Sequence, residues 1–88
     1  MVENEVISPV IRLDDNDNVV VARVEIAKGT AISEEQIEAL QDVPLGHKLA
    51  SRFIKKGEPI LKYNTTIGFA SEDIEAGTYL HSHNISFD

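Results

Sequence analysis

"EIAKGTAI" at residues 25–32, "FIKKGEPI" at 53–60 and "DIEAGTYL" at 73–80 share one layout: an isoleucine three residues before a glycine, and an apolar residue three after it. Glycine takes the dihedrals of sharp turns, and the β-branched flanks favour extended backbone. Each copy therefore reads as a tight turn between strand-like pieces. Intervals of 28 and 20 residues between the copies are too unequal for a stacked solenoid. Related turns within a folded-over, mostly β structure are expected instead.

Upstream, "VISPVIRLDDNDNVVVARVEI" places two β-branched runs on either side of an Asp/Asn cluster at 14–18, the pattern of a β-hairpin. Asp15 and Asp17 lack the glycine and distal glutamate of a calcium loop, so turn chemistry explains the cluster better. "SEEQIEAL" at 33–40 carries a capping box, Ser33 with Gln36, and predicts one short helix with Ile37 and Leu40 packed inward. Further short strands are expected at 47–54, 59–62, 66–71 and 79–87.

A chain of 88 residues supports one domain, 1–88. Hydrophobic residues make up 42% of it, with five aromatics and no tryptophan, so the core is expected to be Val, Ile, Leu and Ala. The absence of cysteine excludes disulfides and thiolate metal sites. "MVENEVISPV" has no basic segment followed by a long apolar run, so no membrane span or secretory signal is expected, and a soluble cytoplasmic location is.

The net charge of −7 argues against nucleic acid as the main partner, because phosphate binding needs a cationic surface. Residues 1–43 carry ten acidic and three basic side chains, whereas residues 44–70 hold Lys48, Arg52, Lys55, Lys56 and Lys62 against Glu58 alone. Such a basic middle attracts a small anion, or is an ordinary solvated face.

Candidate chemistry lies in three places. On a strand over 79–87, His81 and His83 project from one face about 6.5 Å apart and can address one metal or anion; the alternative is two exposed or hydrogen-bonded histidines. "VPLGHK" at 43–48 presents His47 and Lys48 from a loop, as an acid–base pair or as solvated side chains. Lys62-Tyr63-Asn64 offers an amine, a phenol and an amide near a turn, read by itself as surface with a half-buried tyrosine.

Taken in order, Val43-Pro44-x-Gly46-His47-Lys48, Gly57-Glu58-Pro59-Ile60, Lys62-Tyr63 through Ile67-Gly68 and His81-x-His83-Asn84 resemble the N-terminal SAF-type domain of the altronate and galactarate dehydratase family. The opening hairpin fits that domain too. The resemblance implies a β-clip fold and a part in dehydrating sugar acids with a divalent metal, iron or manganese, bound mainly with a large chain. A relative implied by the same resemblance is the small subunit of sulfolactate sulfo-lyase.

It further implies that His81 and His83 bind the metal or the substrate carboxylate, with Asn84 and Lys62 on the substrate and His47 and Lys48 as acid–base and charge-stabilising groups. The implied partners are a large dehydratase subunit and a small anionic sugar acid. The long members continue well past the His-x-His-Asn motif, so the chain is expected to be either a separately encoded small subunit, which the starting methionine and the close "HNISFD" favour, or a fragment cut from a longer protein. The competing expectation is a non-catalytic SAF-type module for carbohydrate binding or assembly. At Asn64 many members of the family carry glycine, and asparagine is the usual substitute where φ is positive.

Overall fold

A computed structural model describes residues 7–87. Among them are nine short strands and no helix: β1 (Val10–Ile11), β2 (Val19–Ala22), β3 (Ala31–Ile32), β4 (Ile37–Glu38), β5 (Lys48–Ala50), β6 (Pro59–Lys62), β7 (Thr65–Ala70), β8 (Tyr79–Leu80) and β9 (Ile85–Ser86). They form a four-stranded sheet in the order β1-β2-β5-β8, a β3-β4 hairpin and a three-stranded β6-β7-β9 sheet, with every pairing antiparallel.

The glycine turns organise this arrangement, and there are four of them, because "DVPLGHKL" at 42–49 repeats the layout with valine in place of isoleucine. Hydrogen bonds close the turns Ala27–Thr30, Pro44–His47, Lys55–Glu58 and Glu75–Thr78. Gly29, Gly46, Gly57 and Gly77 occupy the third position with φ of 86–90°, as a type II turn requires. Each of these glycines donates its N–H to the carbonyl of a buried alanine, respectively Ala39, Ala22, Ala70 and Ala50, and that alanine donates back to the carbonyl of the residue after the glycine.

The turns associate in pairs. Ile26 and Val43 bridge the first to the second, and Ile54 and Ile74 bridge the third to the fourth. The Asp42 carboxylate accepts from the Lys28 N–H at 2.8 Å, and Asp73 accepts from Lys56 at 2.9 Å in the same way. The fold is thus two related halves laid together, which is why the motif spacing looked irregular along the chain.

Each half has its own core. Val20, Ala22, Ile26, Ile32, Ala39, Val43 and Leu49 pack in one cluster; Val19, Ala50, Ile54, Ile60, Ala70, Ile74, Leu80 and Ile85 pack in the other. Val19 and Val20 are neighbours on β2 and point into different clusters, as alternation demands, so the four-stranded sheet is covered on both faces. The core is built from valine, isoleucine, leucine and alanine, as composition implied.

The helix expected at 33–40 is instead the β3–β4 hairpin. Ile32 pairs with Ile37, and Gln36 turns the chain at φ 58°. A two-turn helix meets the cost of nucleation with few hydrogen bonds to set against it. The hairpin instead continues into the first glycine turn through the bonds joining Gly29, Thr30 and Ala39. Ile37 does pack on the core, but Leu40 is exposed and Ala39 takes the buried position.

Buried polar groups join the elements. Asn18 donates to the Pro59 carbonyl and accepts from the Leu61 N–H, tying β2 to β6. Asp17, also buried, accepts from the N–H groups of Tyr63 and Asn64 at 2.9 and 2.7 Å. Those two residues form the β6–β7 turn at φ 56° and 57°, the two-residue hairpin with both central φ positive. The Asp/Asn cluster therefore does turn and clamp chemistry. Tyr63, expected to be half-buried, is 65% exposed. Among the described residues no helix is long and apolar enough to cross a membrane.

Candidate functional site

Pairing of β5 with β8 sets Lys48 opposite Leu80 and Leu49 opposite Tyr79. Continued by one step, that register puts His47 opposite His81. The rings meet accordingly, with centroids 5.4 Å apart. His47 leaves the second glycine turn directly into β5, so the turn that the sequence specifies also fixes where this imidazole emerges.

Tyr79 lies at the centre of the group. Its hydroxyl is 2.8 Å from His47 Nδ1, its ring stacks on His81 at 5.8 Å with 13° between the planes, and His83 lies 6.0 Å away on a tilted ring contact. Part of the phenol packs against the first core cluster, so the ring is anchored from below. Tyr79 lies outside the candidate residues that the sequence motifs pick out. The alternation that placed His81 and His83 on one face extends back to residue 79, and that was the available signal.

The strand expected over 79–87 is broken: β8 ends at Leu80, residues 81–84 form a turn, and β9 begins at Ile85. The cause is Asn84, which is 1% exposed. Its Oδ1 accepts from the His81 N–H at 3.0 Å and its Nδ2 donates to the Tyr79 carbonyl at 3.0 Å. Its own N–H reaches the His81 carbonyl, and its carbonyl accepts from Ser71. An amide so engaged has no face left for a substrate; Asn84 shapes the turn that carries the exposed His81 and His83.

Lys48 follows His47 but leaves β5 on the other face, the one shared with Val21 and Leu80. Burial lowers its pKa below the usual lysine value, and the charge of Lys62 lowers it further. The two amines thus lie within electrostatic reach of each other, on the side away from Tyr79. Of the expected residues, the fold assembles His47, His81 and His83 around Tyr79 and sets Lys48 with Lys62 as a second group.

Among the described residues no three His, Asp or Glu side chains are grouped as a metal ion requires. The Nδ1 of His47 is already engaged by Tyr79. The described residues do not by themselves fit a metal centre. What the cluster can do unaided is orient an anion by hydrogen bonding, since it gathers three imidazoles.

The family model of the altronate/galactarate dehydratase SAF domain matches residues 8–88. The chain belongs to that family. This SAF domain is 42% identical over 76 residues to altronate dehydratase of Escherichia coli (strain K12), and 40% identical over 76 residues to that of Bacillus subtilis (strain 168). Each match takes in 84% of this chain but 15% of the relative. It is also 38% identical over 52 residues to the (2R)-sulfolactate sulfo-lyase subunit alpha of Paracoccus pantotrophus, covering 59% of this chain and 78% of that subunit. The SAF domain therefore spans a small part of the altronate dehydratases it matches and most of a sulfo-lyase subunit.

Proposed function

We propose that this SAF domain forms one wall of a lyase active site completed by a larger chain, and that the reaction is β-elimination from a sugar acid, with loss of water. The observation that carries this reading is the meeting of His47 and His81 around Tyr79 on an exposed surface, in a chain of the dehydratase family. A C–H bond beside a carboxylate is only weakly acidic, so the elimination needs a group to exchange protons and positive charge to hold the developing enediolate. His47 serves the first need. The second need falls to the larger chain, because Lys48 and Lys62 lie on the side of the sheet away from Tyr79.

His81 and His83 are donors toward the substrate carboxylate or toward a divalent metal that the larger chain holds. The described residues of this chain do not group the ligands for that ion themselves. A small β surface with a handful of polar groups does not enclose a substrate or exclude water, so turnover requires the partner. Loss of sulfite from a sulfonated hydroxy acid is the second reading, and it is favoured by the 78% coverage of the sulfo-lyase subunit alpha. A non-catalytic carbohydrate-binding module would give no reason for three imidazoles to gather on one phenol.

The test is to copurify the chain from its native source with its partner and assay altronate, galactarate and (2R)-sulfolactate. The expected result is lyase activity with the pair and none with the chain alone, lost on replacing His47 and His81 by alanine. Full activity in that double variant, or turnover by the isolated chain, would overturn the proposal.

A further inference from the structure

Neither the family match nor the names of the relatives assign a role to Tyr79, yet it touches every imidazole of the chain. Its hydroxyl meets Nδ1 of His47, its ring lies flat on His81 and a ring edge of His83 approaches it. We infer that Tyr79 is a positioning residue that holds His47 by Nδ1, leaves Nε2 as the nitrogen offered to the substrate, and supports His81 from beneath. The inference rests on the lyase reading for its consequence in turnover but not for its geometry.

A phenol suits this task because its oxygen both donates and accepts. When His47 is neutral with Nδ1 bare, the Tyr79 O–H donates to it. When Nδ1 carries a proton, the same oxygen accepts. The ring is thus held in one orientation whichever state His47 occupies, and only Nε2 remains free. Without the hydroxyl, a half-buried imidazole at the mouth of a turn can rotate about its side-chain torsions and offer either nitrogen.

The supports are independent of the rings themselves. Tyr79 is placed by its pairing with Leu49, by its N–H donating to the Gln41 side chain at 2.9 Å, and by its carbonyl accepting from Asn84. The phenol is therefore fixed by the backbone and core before any imidazole contacts it. The order of dependence runs from Tyr79 to the histidines.

Tyr79→Phe keeps the ring and removes the hydroxyl; Tyr79→Leu removes both. Nitrogen-15 spectra of the imidazoles, recorded on the 88-residue chain, read the hydrogen bond directly. In the unsubstituted chain, His47 Nδ1 is expected to show the shift of a hydrogen-bonded nitrogen, and in Tyr79→Phe that of a free one, with His81 unchanged. Tyr79→Leu is expected to alter the His81 and His83 resonances as well. With the larger chain present, Tyr79→Phe is expected to lower kcat by about 10- to 100-fold, since misplacing a reacting group by an ångström costs on that scale, with KM within about twofold.

Tyr63→Phe, at the exposed β6–β7 turn, serves as the control and leaves each readout unchanged. Identical His47 resonances in the unsubstituted and Tyr79→Phe chains would overturn the inference, as would a loss seen only in KM. Absence of lyase activity from the unsubstituted pair, with the Nδ1 signature intact, would count against the lyase reading alone.

Discussion

His47 and His81 face each other across the β5–β8 pair, their ring centroids 5.4 Å apart, although 34 residues of chain separate them. Each is delivered by a different turn. A glycine turn delivers His47, and a turn pegged by the side chain of Asn84 delivers His81. The meeting therefore depends on two local devices and on the register between them.

Asn84 is the more vulnerable device. Alanine there leaves the His81 N–H and Tyr79 carbonyl without their side-chain partners inside a packed region, and opens a small void. The expected cost is about 2–4 kcal/mol, the sum of two unmade hydrogen bonds. Aspartate retains the acceptor for His81 but presents oxygen to the Tyr79 carbonyl and buries a charge, so it is expected to be no better than alanine. Urea unfolding of both variants measures this; Asn84→Asp as stable as the unsubstituted chain would show that the amide does not peg the turn.

Asp17 makes a comparable clamp. The Tyr63–Asn64 turn holds two non-glycine residues at positive φ, a conformation costing about 1–2 kcal/mol for each ordinary side chain. Both N–H groups donate to the Asp17 carboxylate. Asp17→Ala is expected to destabilise the fold by about 2–4 kcal/mol. Asn64→Gly added to it is expected to restore part of the loss by relieving the turn. Thermal unfolding of the single and double variants checks the pair, and no recovery in the double variant would mean that the clamp does not act through the turn.

How much of this was legible beforehand follows from which interactions are local. The glycine turns, the 14–18 hairpin and the strands expected at 59–62 and 66–71 are written in short-range chemistry, and the structure has them, at 59–62 and 65–70; the strand expected at 47–54 is cut to Lys48–Ala50. The 33–40 segment misled because its capping residues are local too, while the bonds of Gly29 and Thr30 to Ala39 that favour a hairpin depend on the turn before it. The fourth glycine turn was hidden by valine and proline in place of isoleucine and its neighbour. Register was not legible: nothing in "GHKL" and "TYLH" says that His47 lies opposite His81 until β5 and β8 are paired. Asn84 looked like a ligand because a polar side chain beside histidines reads the same whether it faces outward or inward.

Gly77 separates backbone freedom from packing. Gly29, Gly46 and Gly57 have open space where a β-carbon would sit, so alanine at Gly29 meets only the cost of positive φ, about 1–2 kcal/mol. A β-carbon on Gly77 would lie 2.0 Å from the Glu38 carbonyl oxygen, where the fourth turn packs on β4. Neither backbone can yield without breaking the bond from the Leu40 N–H to the Gly77 carbonyl. Gly77→Ala is expected to cost more than about 4 kcal/mol, a large share of the stability of a chain of ordinary size. Thermal unfolding followed by circular dichroism distinguishes the two variants: a much larger fall in Tm for Gly77→Ala than for Gly29→Ala is the expected result, and equal stability would contradict the close packing.

Lys48 gives the fold a dependence on alkaline pH. Burial first, and the charge of Lys62 second, hold its pKa in the folded chain below the free value of 10.5. Between those two values the unfolded chain binds more protons than the folded one, so stability rises with pH across the window. Below the folded value both states are protonated and the folded chain bears the whole penalty; above 10.5 neither is charged and the penalty is gone. Lys48→Met removes the charge at similar length and is expected to be more stable than the unsubstituted chain at neutral pH. That advantage should shrink as pH approaches the free lysine value. Lys62→Met relieves only the second cause and should give a smaller advantage with the same trend. Urea unfolding at neutral and alkaline pH, taken as differences between variants so that other titrations cancel, measures both; a Lys48→Met difference that stays constant across that range would show that Lys48 is not desolvated in the folded chain.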